Sequence, residues 1–290
     1  MSSSSPKILL QRLGLRPKKT LGQHFLVHPH QARRIVTALE LKGDETVVEI
    51  GAGLGALTVF LAQEARRLVA LERDPSLVRF LREEVFSDTP GVEVRCQDVL
   101  RFDFPGLSRE VEGPVVVAGN LPYQITSPLL FKLMAERQAL SRAVLMMQQE
   151  VGARLLAAPG SKDYGVLSVL LSYHFSLRRL FSLGPANFFP PPQVDSLVLG
   201  LTPAAFSPPA RDPALLAQVV KAAFGQRRKT LNNTLTAGAA LGLSPIEVRR
   251  AFGELGLDPS RRGETLSLPE FVALANRLSA SSDQLSAKSW

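Results

Sequence analysis

The chain has 290 residues, of which 45% are hydrophobic and 21% are charged. These are the proportions of an ordinary globular protein, so they exclude wholesale disorder and allow one large domain or two smaller ones. The single cysteine, Cys96, excludes an internal disulfide framework and a cysteine-rich zinc site. No apolar run approaches the roughly 20 residues of a membrane helix, and no leader-like segment opens the chain, so we expect a cytoplasmic protein.

Basic residues are concentrated towards the two ends of the chain. The net charge is +8, from 34 Lys and Arg against 26 Asp and Glu. Residues 1–43 carry +7 and residues 204–290 carry +4, whereas residues 44–203 carry −3. This distribution favours a catalytic middle between segments that bind a polyanion, although solubilising surface charge explains it equally well at this point.

From Thr46 onward, short β-branched runs alternate with helical stretches. Strands that are apolar without polar alternation predict a mostly parallel sheet covered by helices on both faces, which is an α/β fold. The last two strand-like runs have no long helix between them, so we expect a terminal antiparallel hairpin. The predicted strands are Thr46–Ile50, Arg67–Glu72, Val92–Gln97, Val115–Ala118, Ala143–Gln148, Val166–Phe175 and Ser196–Leu201. The predicted helices between them are Ala56–Glu64, Pro75–Val85, Ser127–Ala135 and Glu150–Leu156.

A second, helical domain is predicted after a segment rich in proline. Ser244 and Glu247 have the spacing of a capping box at the start of one of its helices. The helices predicted there are Ala214–Phe224, Lys229–Ala237, Pro245–Leu255 and Pro269–Leu278. We therefore expect a basic, partly disordered arm at 1–20, an α/β domain at 21–203, a proline-rich linker at 204–213, a small all-helical domain at 214–280 and a disordered tail at 281–290.

A glycine-rich loop, Glu49–Gly55, follows the first predicted strand and opens a helix. Its glycines, Gly51 and Gly53 among them, allow a tight turn and a close approach to a ligand beside the helix N-terminus. Glu72, at the end of the second strand, is placed to accept hydrogen bonds from ribose hydroxyls, and Asp98, after the third, can accept one from an adenine amino group. The pattern predicts a cofactor that carries a nucleoside, and it leaves open whether that cofactor is a dinucleotide.

The segment Asn120-Leu121-Pro122-Tyr123 follows the fourth predicted strand and indicates methylation of an exocyclic base amine. The lone pair of adenine N6 is delocalised into the ring, so the nitrogen is a poor nucleophile. The Asn120 amide oxygen and a backbone carbonyl at Leu121 or Pro122 can accept from the amine hydrogens and favour a pyramidal nitrogen that attacks a sulfonium methyl. Pro122 fixes the backbone there, and Tyr123 offers a face for an extruded base.

These motifs resemble those of the ribosomal RNA adenine N6,N6-dimethyltransferases, which have a Rossmann-like S-adenosylmethionine-dependent methyltransferase sheet. The resemblance extends from about Lys18 to Leu278 and includes the segments 21–26 and 187–196. It implies that S-adenosyl-L-methionine is the cofactor. It also implies that the substrate is small-subunit ribosomal RNA, within a pre-ribosomal particle of the 30S type, where the enzyme dimethylates N6 of two adjacent adenosines of the 3′-terminal hairpin.

The resemblance also implies a role for each matching residue. Gln23, His24 and the Leu26 backbone would close over the cofactor, and His24 stands where the family usually has asparagine. Gly51 would contact the methionine end of the cofactor, Glu72 the ribose and Asp98 the adenine. Asn120 would lie between the methionine end and the target amine. The catalytic set comprises Asn120, Leu121, Pro122, Tyr123 and Phe188, and the cofactor set comprises Gln23, His24, Leu26, Gly51, Gly53, Glu72, Asp98 and Asn120.

Tyr123 and Phe188 would sandwich the target adenine, with Phe189 as a weaker candidate for stacking. Two basic clusters are candidates for binding RNA phosphates, because arginine and lysine side chains suit phosphate groups. The alternative is that each cluster is a solvated helix face. The residues predicted to bind RNA are Arg227, Arg228, Lys229, Lys18 and Lys19. No histidine has partners at the spacing of a metal site, so no metal is expected, and Cys96 is predicted to be buried in its strand.

Three alternatives stay open at this stage. One is the related methyltransferase of large-subunit ribosomal RNA that gives macrolide resistance. The second is a non-catalytic ribosome-assembly factor that uses the fold to bind RNA. The third is an NAD-dependent oxidoreductase, which fits the glycine loop but leaves Asn120–Tyr123 unexplained. No oligomer interface is evident from the sequence, so we expect a monomer. We also expect no membrane association, because no apolar run is long enough to span a bilayer.

Overall fold

The computed structural model describes residues 5–226, 228–236 and 244–286. It divides into two compact units. Unit 1 comprises residues 1–152 and 176–203, and unit 2 comprises residues 153–175 and 204–290. No helix among the described residues is long and apolar enough to cross a membrane.

The strands of unit 1 form a two-stranded and a seven-stranded sheet. Their bounds are β1 Phe25–Leu26, β2 Thr46–Ile50, β3 Arg67–Glu72, β4 Val92–Cys96, β5 Val115–Asn120, β6 Leu140–Gln148, β7 Phe175–Leu183, β8 Phe188–Phe189 and β9 Ser196–Pro203. The large sheet has the order β4-β3-β2-β5-β6-β9-β7, and the small one pairs β1 with β8 in antiparallel fashion. The pairs β2·β3, β3·β4, β2·β5 and β5·β6 are parallel, whereas β9 is antiparallel to β6 and adjacent to β7. The mostly parallel sheet is confirmed.

The helices of unit 1 cover both faces of this sheet. All five residues of β2 are buried, and because successive strand residues point to opposite faces, neither face is open to water there. Ile35 and Leu61 pack with Val116 in one hydrophobic cluster, and Val78 packs with Ala70 in another. The helices are α1 Pro6–Arg12, α2 Pro29–Thr37, α3 Thr58–Glu64, α4 Pro75–Phe80, α5 Phe104–Glu110 and α6 Thr126–Ala135, and α7 Gln149–Leu155 crosses the boundary between the units.

Unit 2 is helical. Its helices are α8 Val166–His174, α9 Pro213–Phe224, α10 Leu231–Thr236, α11 Pro245–Leu255 and α12 Leu268–Ser286. Leu216, Phe252 and Phe271 are almost completely buried in its core. The Ser244 hydroxyl accepts from the Glu247 N–H while the Glu247 carboxylate accepts from the Ser244 N–H, so the predicted capping box is confirmed.

The predicted strand Val166–Phe175 is wrong, because residues 166–174 form helix α8 and β7 begins only at Phe175. A short apolar run is compatible with a buried helix as well as with a buried strand. The local start signal decides between them, since the Ser168 hydroxyl accepts from the Gly165 N–H at 3.1 Å. Residues 153–175, assigned from sequence to the α/β domain, group with unit 2 instead.

The structure gives helices within the segments assigned from sequence to a partly disordered arm and to a disordered tail, and it gives hydrogen bonds for the linker. Residues 6–12 of the basic arm form α1. Leu10 of this helix is buried in a cluster with Phe25 and Leu77. Helix α12 continues through 281–286, which the sequence assigned to a tail. The linker is fixed to unit 2, because the Ala210 N–H donates to the Tyr173 hydroxyl and the Asn276 amide bonds both Arg211 and Pro209.

Cys96 is exposed, which contradicts its predicted burial. It ends β4, an edge strand that is buried at only one of its positions, Val94. Of the predicted helix Lys229–Ala237, the structure gives Leu231–Thr236, and Ala237 lies outside the described residues.

Substitution of Gly119 by alanine should destabilise the sheet at the strand that carries Asn120. A Cβ at Gly119 would lie 2.8 Å from the Ile50 carbonyl oxygen and 3.0 Å from the Ile50 Cβ, at the last register pair of the β2·β5 ladder. Since both strands are buried, we expect a loss of about 1–3 kcal/mol in the free energy of unfolding, measured by urea denaturation. Gly113→Ala is the control, because its nearest neighbour would be 4.0 Å away. Equal stability of the two variants would contradict this account.

Candidate active site

A pocket of unit 1 lies where β2, β3 and β5 end. The carboxyl ends of parallel strands are the usual site of ligand binding in open α/β sheets. The pocket is lined by residues 20–26, by the glycine loop after β2, by the end of β3 and by the segment after β5. The sequence therefore brings its N-terminal, glycine-loop and Asn120–Tyr123 motifs together around one cavity.

Two glycines shape the loop after β2. Gly51 and Gly53 have φ values of +75° and +59°, which favour glycine, and a Cβ on Gly53 would lie 3.3 Å from the Phe25 ring. The Gly51 N–H donates to the Leu71 carbonyl at 2.9 Å, which fixes the loop to the end of β3. The loop thus turns tightly beside Phe25, where a larger residue would be crowded.

Glu72 ties this loop to the segment after β3. Its carboxylate accepts from the Gly53 N–H at 2.9 Å and from the Asp74 N–H at 2.8 Å, and the residue is 8% exposed. Burial raises the pKa of Glu72, while the hydrogen bonds from Asp74, Gly53 and Arg73 act in the opposite direction. Glu72 therefore supports the pocket as well as facing into it.

Glu49 is a second acidic residue of the pocket, and it was not among the predicted cofactor residues. It is completely buried, and neither carboxylate oxygen has a partner of full hydrogen-bond geometry among the described residues. Burial raises its pKa to about 8, hydrogen bonding from Thr58 acts against this, and the Glu72 charge adds to it. A buried carboxylate with unused acceptors favours a cationic or hydrogen-bond-donating ligand.

Asp98 lies two residues after the end of β4, the strand in which Cys96 is the register partner of Glu72. One of its oxygens accepts from the Leu100 N–H at 3.0 Å, and the other is 3.6 Å from the Arg73 guanidinium. Its chain neighbours Gln97 and Val99 line the pocket, as does Arg73. Sequence reasoning missed Arg73, although its position directly after Glu72 was a usable signal.

The N-terminal motif is fixed to the pocket by a buried aspartate. Asp74 accepts from the Lys18 ammonium at 2.8 Å and from the Gln23 amide at 3.1 Å, and the Lys18 N–H donates to the Gln23 amide oxygen at 2.8 Å. Although burial of Asp74 opposes it, hydrogen bonding from Lys18 and Gln23 leaves the pKa of Asp74 below its usual value. Lys18 was predicted to bind RNA. In the structure its ammonium group forms an ion pair with Asp74.

Asn120 ends β5 with its side chain held in one orientation. Its amide nitrogen donates to the His24 carbonyl at 2.9 Å, which leaves the amide oxygen available. The Pro122 carbonyl accepts from the Ile125 N–H at 3.1 Å, whereas no donor among the described residues bonds the Leu121 carbonyl. The free acceptors after β5 are therefore the Asn120 amide oxygen and the Leu121 carbonyl.

His24 connects the segments around the pocket. Its ring nitrogen Nδ1 lies 2.7 Å from the Pro190 carbonyl, and its ring stacks on Tyr123 with centroids 5.6 Å apart. Together with the bond from Asn120 to its carbonyl, these contacts join the N-terminal motif, the segment after β5 and the segment after β8. His24 and the buried Leu26 both line the pocket.

Phe188 is not where a stacking residue would be expected. It is 4% exposed, lies opposite Leu26 in the β1·β8 pair and packs into a hydrophobic cluster, so it does not line the pocket. Phe189 is partly buried on the other side of this short strand. In this structure only Tyr123 of the predicted sandwich borders the pocket.

The remaining predicted positions are at the surface. Lys19 of unit 1 is exposed, and so are Arg228 and Lys229 of unit 2. Arg227 lies outside the described residues. Within the part of the chain that the structure describes, no group of three or more His, Cys, Asp or Glu residues could hold a metal ion.

The pocket fits a positively charged cofactor that contains a nucleoside. Glycines of positive φ and Glu72 line the pocket, Glu49 offers buried acceptors without full partners among the described residues, and Asp98 lies after the adjacent strand beside the lining residues Gln97 and Val99. A mostly parallel sheet with this pocket and with Asn120–Tyr123 after β5 defines a Rossmann-like methyltransferase.

Comparison with known proteins identifies the family. The model described as ribosomal RNA adenine dimethylase matches residues 14–247, and the chain therefore belongs to that family. It is 45% identical over 269 residues to "Ribosomal RNA small subunit methyltransferase A" of Geobacter metallireducens, covering 92% of this chain and 97% of that protein. The protein of that name from Myxococcus xanthus is 44% identical, covering 94% and 95%. The oxidoreductase alternative is wrong.

Two solved structures share the fold. A dimethyladenosine transferase from Plasmodium falciparum has a TM-score of 0.75 at 24% identity, covering 89% of this chain and 98% of that one. The 23S rRNA methyltransferase ErmE has a TM-score of 0.65 at 26% identity, covering 88% and 99%. The expected Rossmann-like methyltransferase fold is confirmed.

Glu49→Gln should remove part of the pH dependence of stability. The folded chain keeps the Glu49 proton up to about pH 8, whereas the ordinary pKa of this group is 4.5. The folded state therefore binds more protons between these values, so the free energy of unfolding falls as pH rises through them, by up to about 1.4 kcal/mol per pH unit. Glutamine does not titrate, so this slope should be shallower in the variant, measured by urea denaturation from pH 5 to 8.

Glu64→Gln is the control for this measurement, because Glu64 is exposed at the end of α3 and its substitution should leave the wild-type slope. An unchanged slope in the Glu49 variant would show that the buried carboxylate does not titrate as described.

Phe188→Ala should destabilise unit 1. Because the ring is buried, its removal leaves a cavity, and we expect a loss of about 3–5 kcal/mol in the free energy of unfolding. Phe131→Ala is the matched control, since Phe131 is 39% exposed on α6 and should cost far less. Calorimetric unfolding of the two variants compares them, and equal stabilities would contradict the burial of Phe188.

Proposed function

We propose that this protein transfers methyl groups from S-adenosyl-L-methionine to N6 of two adjacent adenosines in the 3′-terminal hairpin of small-subunit ribosomal RNA. Family membership supports the reaction, and identities of 44–45% to relatives named for the small subunit, against 26% to ErmE, support the choice of RNA. The observation that carries the proposal is the orientation of the Asn120 amide, whose nitrogen is engaged and whose oxygen is free.

The cofactor would be held by the residues around the pocket. Glu72 is placed for the ribose hydroxyls, Asp98 for the adenine amino group, and Gly51 and Gly53 for close passage of the backbone. When bound, S-adenosylmethionine supplies an electrophilic methyl group on a sulfonium sulfur. Glu49 adds a buried carboxyl group whose ionised form would be favoured by that positive charge.

The target amine would be activated by acceptors on its hydrogens. The Asn120 amide oxygen and the Leu121 carbonyl favour a pyramidal nitrogen, whose lone pair then points along the line of attack. Because Pro122 is already engaged by Ile125, Leu121 is the better of the two carbonyls considered from sequence. No strong base is needed, since the methylated ammonium is acidic enough to lose its proton afterwards.

Tyr123 would stack on the adenine, supported by the His24 ring behind it. Phe188 could form the other side of the sandwich only if β8 moved, because its ring is packed in the core. Phe188→Leu separates the two roles, since it keeps the apolar volume. Methylation lost at full stability would support stacking by Phe188, and unchanged methylation would argue against it.

The RNA partner would be a pre-ribosomal particle, contacted through exposed basic residues of each unit, Lys19 in unit 1 and Arg228 and Lys229 in unit 2, together with Arg227. An enzyme with this substrate would act where small subunits are assembled, which we take to be the cytoplasm, and we expect it to work as a monomer. A second, non-catalytic role in subunit maturation is tested by asking whether Asn120→Ala still supports maturation.

Asn120→Ala should abolish methylation while leaving the cofactor in place. Loss of the amide removes one of the two acceptors for the amine, so we expect the single-turnover rate to fall by about 10²–10³. Cofactor affinity, measured by calorimetry, should change only a few-fold, because Glu72 and the glycine loop are intact. The exposed Gln63→Ala on α3 is the control. An Asn120 variant with the wild-type rate would overturn the mechanism.

The substrate is tested by incubating the protein with undermethylated ribosomal subunits and mapping the modified nucleotides by mass spectrometry. Four methyl groups on two adjacent adenosines of the small-subunit RNA are expected. Label on the large-subunit RNA would instead identify the macrolide-resistance type, and no label on either RNA would favour a non-catalytic assembly factor.

A further inference from the structure

Four arginines from two distant parts of the chain converge on one groove of unit 1. Helix α2 contributes Arg33 and Arg34, and the edge strand β7 contributes Arg178 and Arg179. All four are exposed, and Glu40 is the acidic residue that lines the groove with them, so the ionised side chains give a charge of +3. The net charges of the three chain segments did not reveal this surface, because Arg178 and Arg179 belong to residues 44–203, whose net charge is negative.

Most of this positive charge is available for a ligand. Arg178 is 3.3 Å from Glu40, whereas Arg33, Arg34 and Arg179 have no carboxylate partner among the described residues. The Arg34 guanidinium stacks on the Phe181 ring at 3.7 Å, and that of Arg33 lies 5.1 Å from the Phe60 ring. These contacts hold the guanidinium groups in place without neutralising them, and a positioned fork suits a phosphate.

Protection of a sheet edge does not account for the whole groove. Charged residues on β7 would keep another strand from pairing there, which explains Arg178 and Arg179. Arg33 and Arg34 lie on the solvent face of α2, whose opposite face packs Ile35 into the core. Their convergence with the strand arginines therefore needs another reason.

The groove is continuous with the segments that form the active site. Helix α2 begins three residues after Leu26, and β7 ends five residues before Phe188; these two residues pair in β1·β8. Arg33 and Arg34 therefore lie on the helix that follows β1, and Arg178 and Arg179 lie on the strand that precedes β8.

We propose that the groove formed by Arg33, Arg34, Arg178 and Arg179 binds the phosphate backbone of the RNA that carries the target adenosine. This proposal rests on the proposed function, since it assumes an RNA substrate. Phosphate contacts fix the position of an RNA without reading its sequence, so the groove would set which nucleotide reaches Asn120.

The test is the salt dependence of RNA binding by the full chain. The variant Arg33→Ala/Arg34→Ala/Arg179→Ala and the wild type are titrated with an unmodified transcript of small-subunit ribosomal RNA at 50–400 mM potassium chloride. Loss of three phosphate contacts should lower the slope of log affinity against log salt by about 2–3, with an affinity loss of tenfold or more at about 100 mM salt. Cofactor affinity and the thermal midpoint should not change.

Two matched variants make the result decisive. Arg66→Ala/Arg79→Ala/Arg109→Ala removes the same charge from exposed positions elsewhere in unit 1 and should lower the slope by less than about 1. Replacement of the three groove arginines by lysine keeps the charge and should keep most of the slope. An unchanged slope in the alanine variant, an equal loss in the surface control, or an equal loss in the lysine variant would each overturn the proposal.

Failure of this proposal is distinguishable from failure of the proposed function, because the wild type is assayed for methylation of the same RNA. If the alanine variant bound the transcript normally but lost affinity for the ribosomal particle, the partner of the groove would be an acidic protein surface, and the RNA proposal would be wrong.

Discussion

The position of one buried carboxylate organises the catalytic unit. Glu72 ends β3 and accepts from Gly53 in one loop and from Asp74 in the next, so the two loops cannot move independently. Asp74 in turn holds Lys18 and Gln23, which brings the N-terminal segment over the same pocket. Because the two accepting residues, Glu72 and Asp74, are buried, these bonds connect three separate segments around the pocket.

The sheet could be predicted from sequence, but long-range side-chain contacts could not. The run Thr46–Ile50 is rich in β-branched residues and is followed by a glycine turn, which favours a strand, and its predicted bounds agree with the structure. The run 166–175 failed because an apolar segment of that length also suits a buried helix, and the deciding bond, from Gly165 to Ser168, is a local detail of the cap. The spacing of hydrophobic residues indicates which face of a helix or strand is buried, but it says little about the hydrogen bonds that cap a helix.

The same distinction applies to the site. The places of Glu72, Asn120 and Tyr123 at the pocket could be predicted, because Glu72 and Asn120 end strands and Tyr123 belongs to the segment that follows β5. The contacts of Lys18 and Phe188 could not, since one is bound by an aspartate 56 residues away and the other is buried by the pairing of β8 with β1. A sequence motif indicates the chemistry of a side chain, whereas the exposure of that side chain depends on the segments that pack over it.

The electrostatics of unit 1 separate two ligands of opposite charge. Glu49 and Glu72 both line the pocket, and a positive charge there would favour their ionised forms, so the pocket suits a cationic cofactor and not a phosphate. The positive groove is formed by α2, which follows β1, and by β7, which precedes β8. Phosphates bound there would meet arginines instead of carboxylates. An adenine, being neutral, could then enter the pocket while its charged backbone stays on the arginine groove.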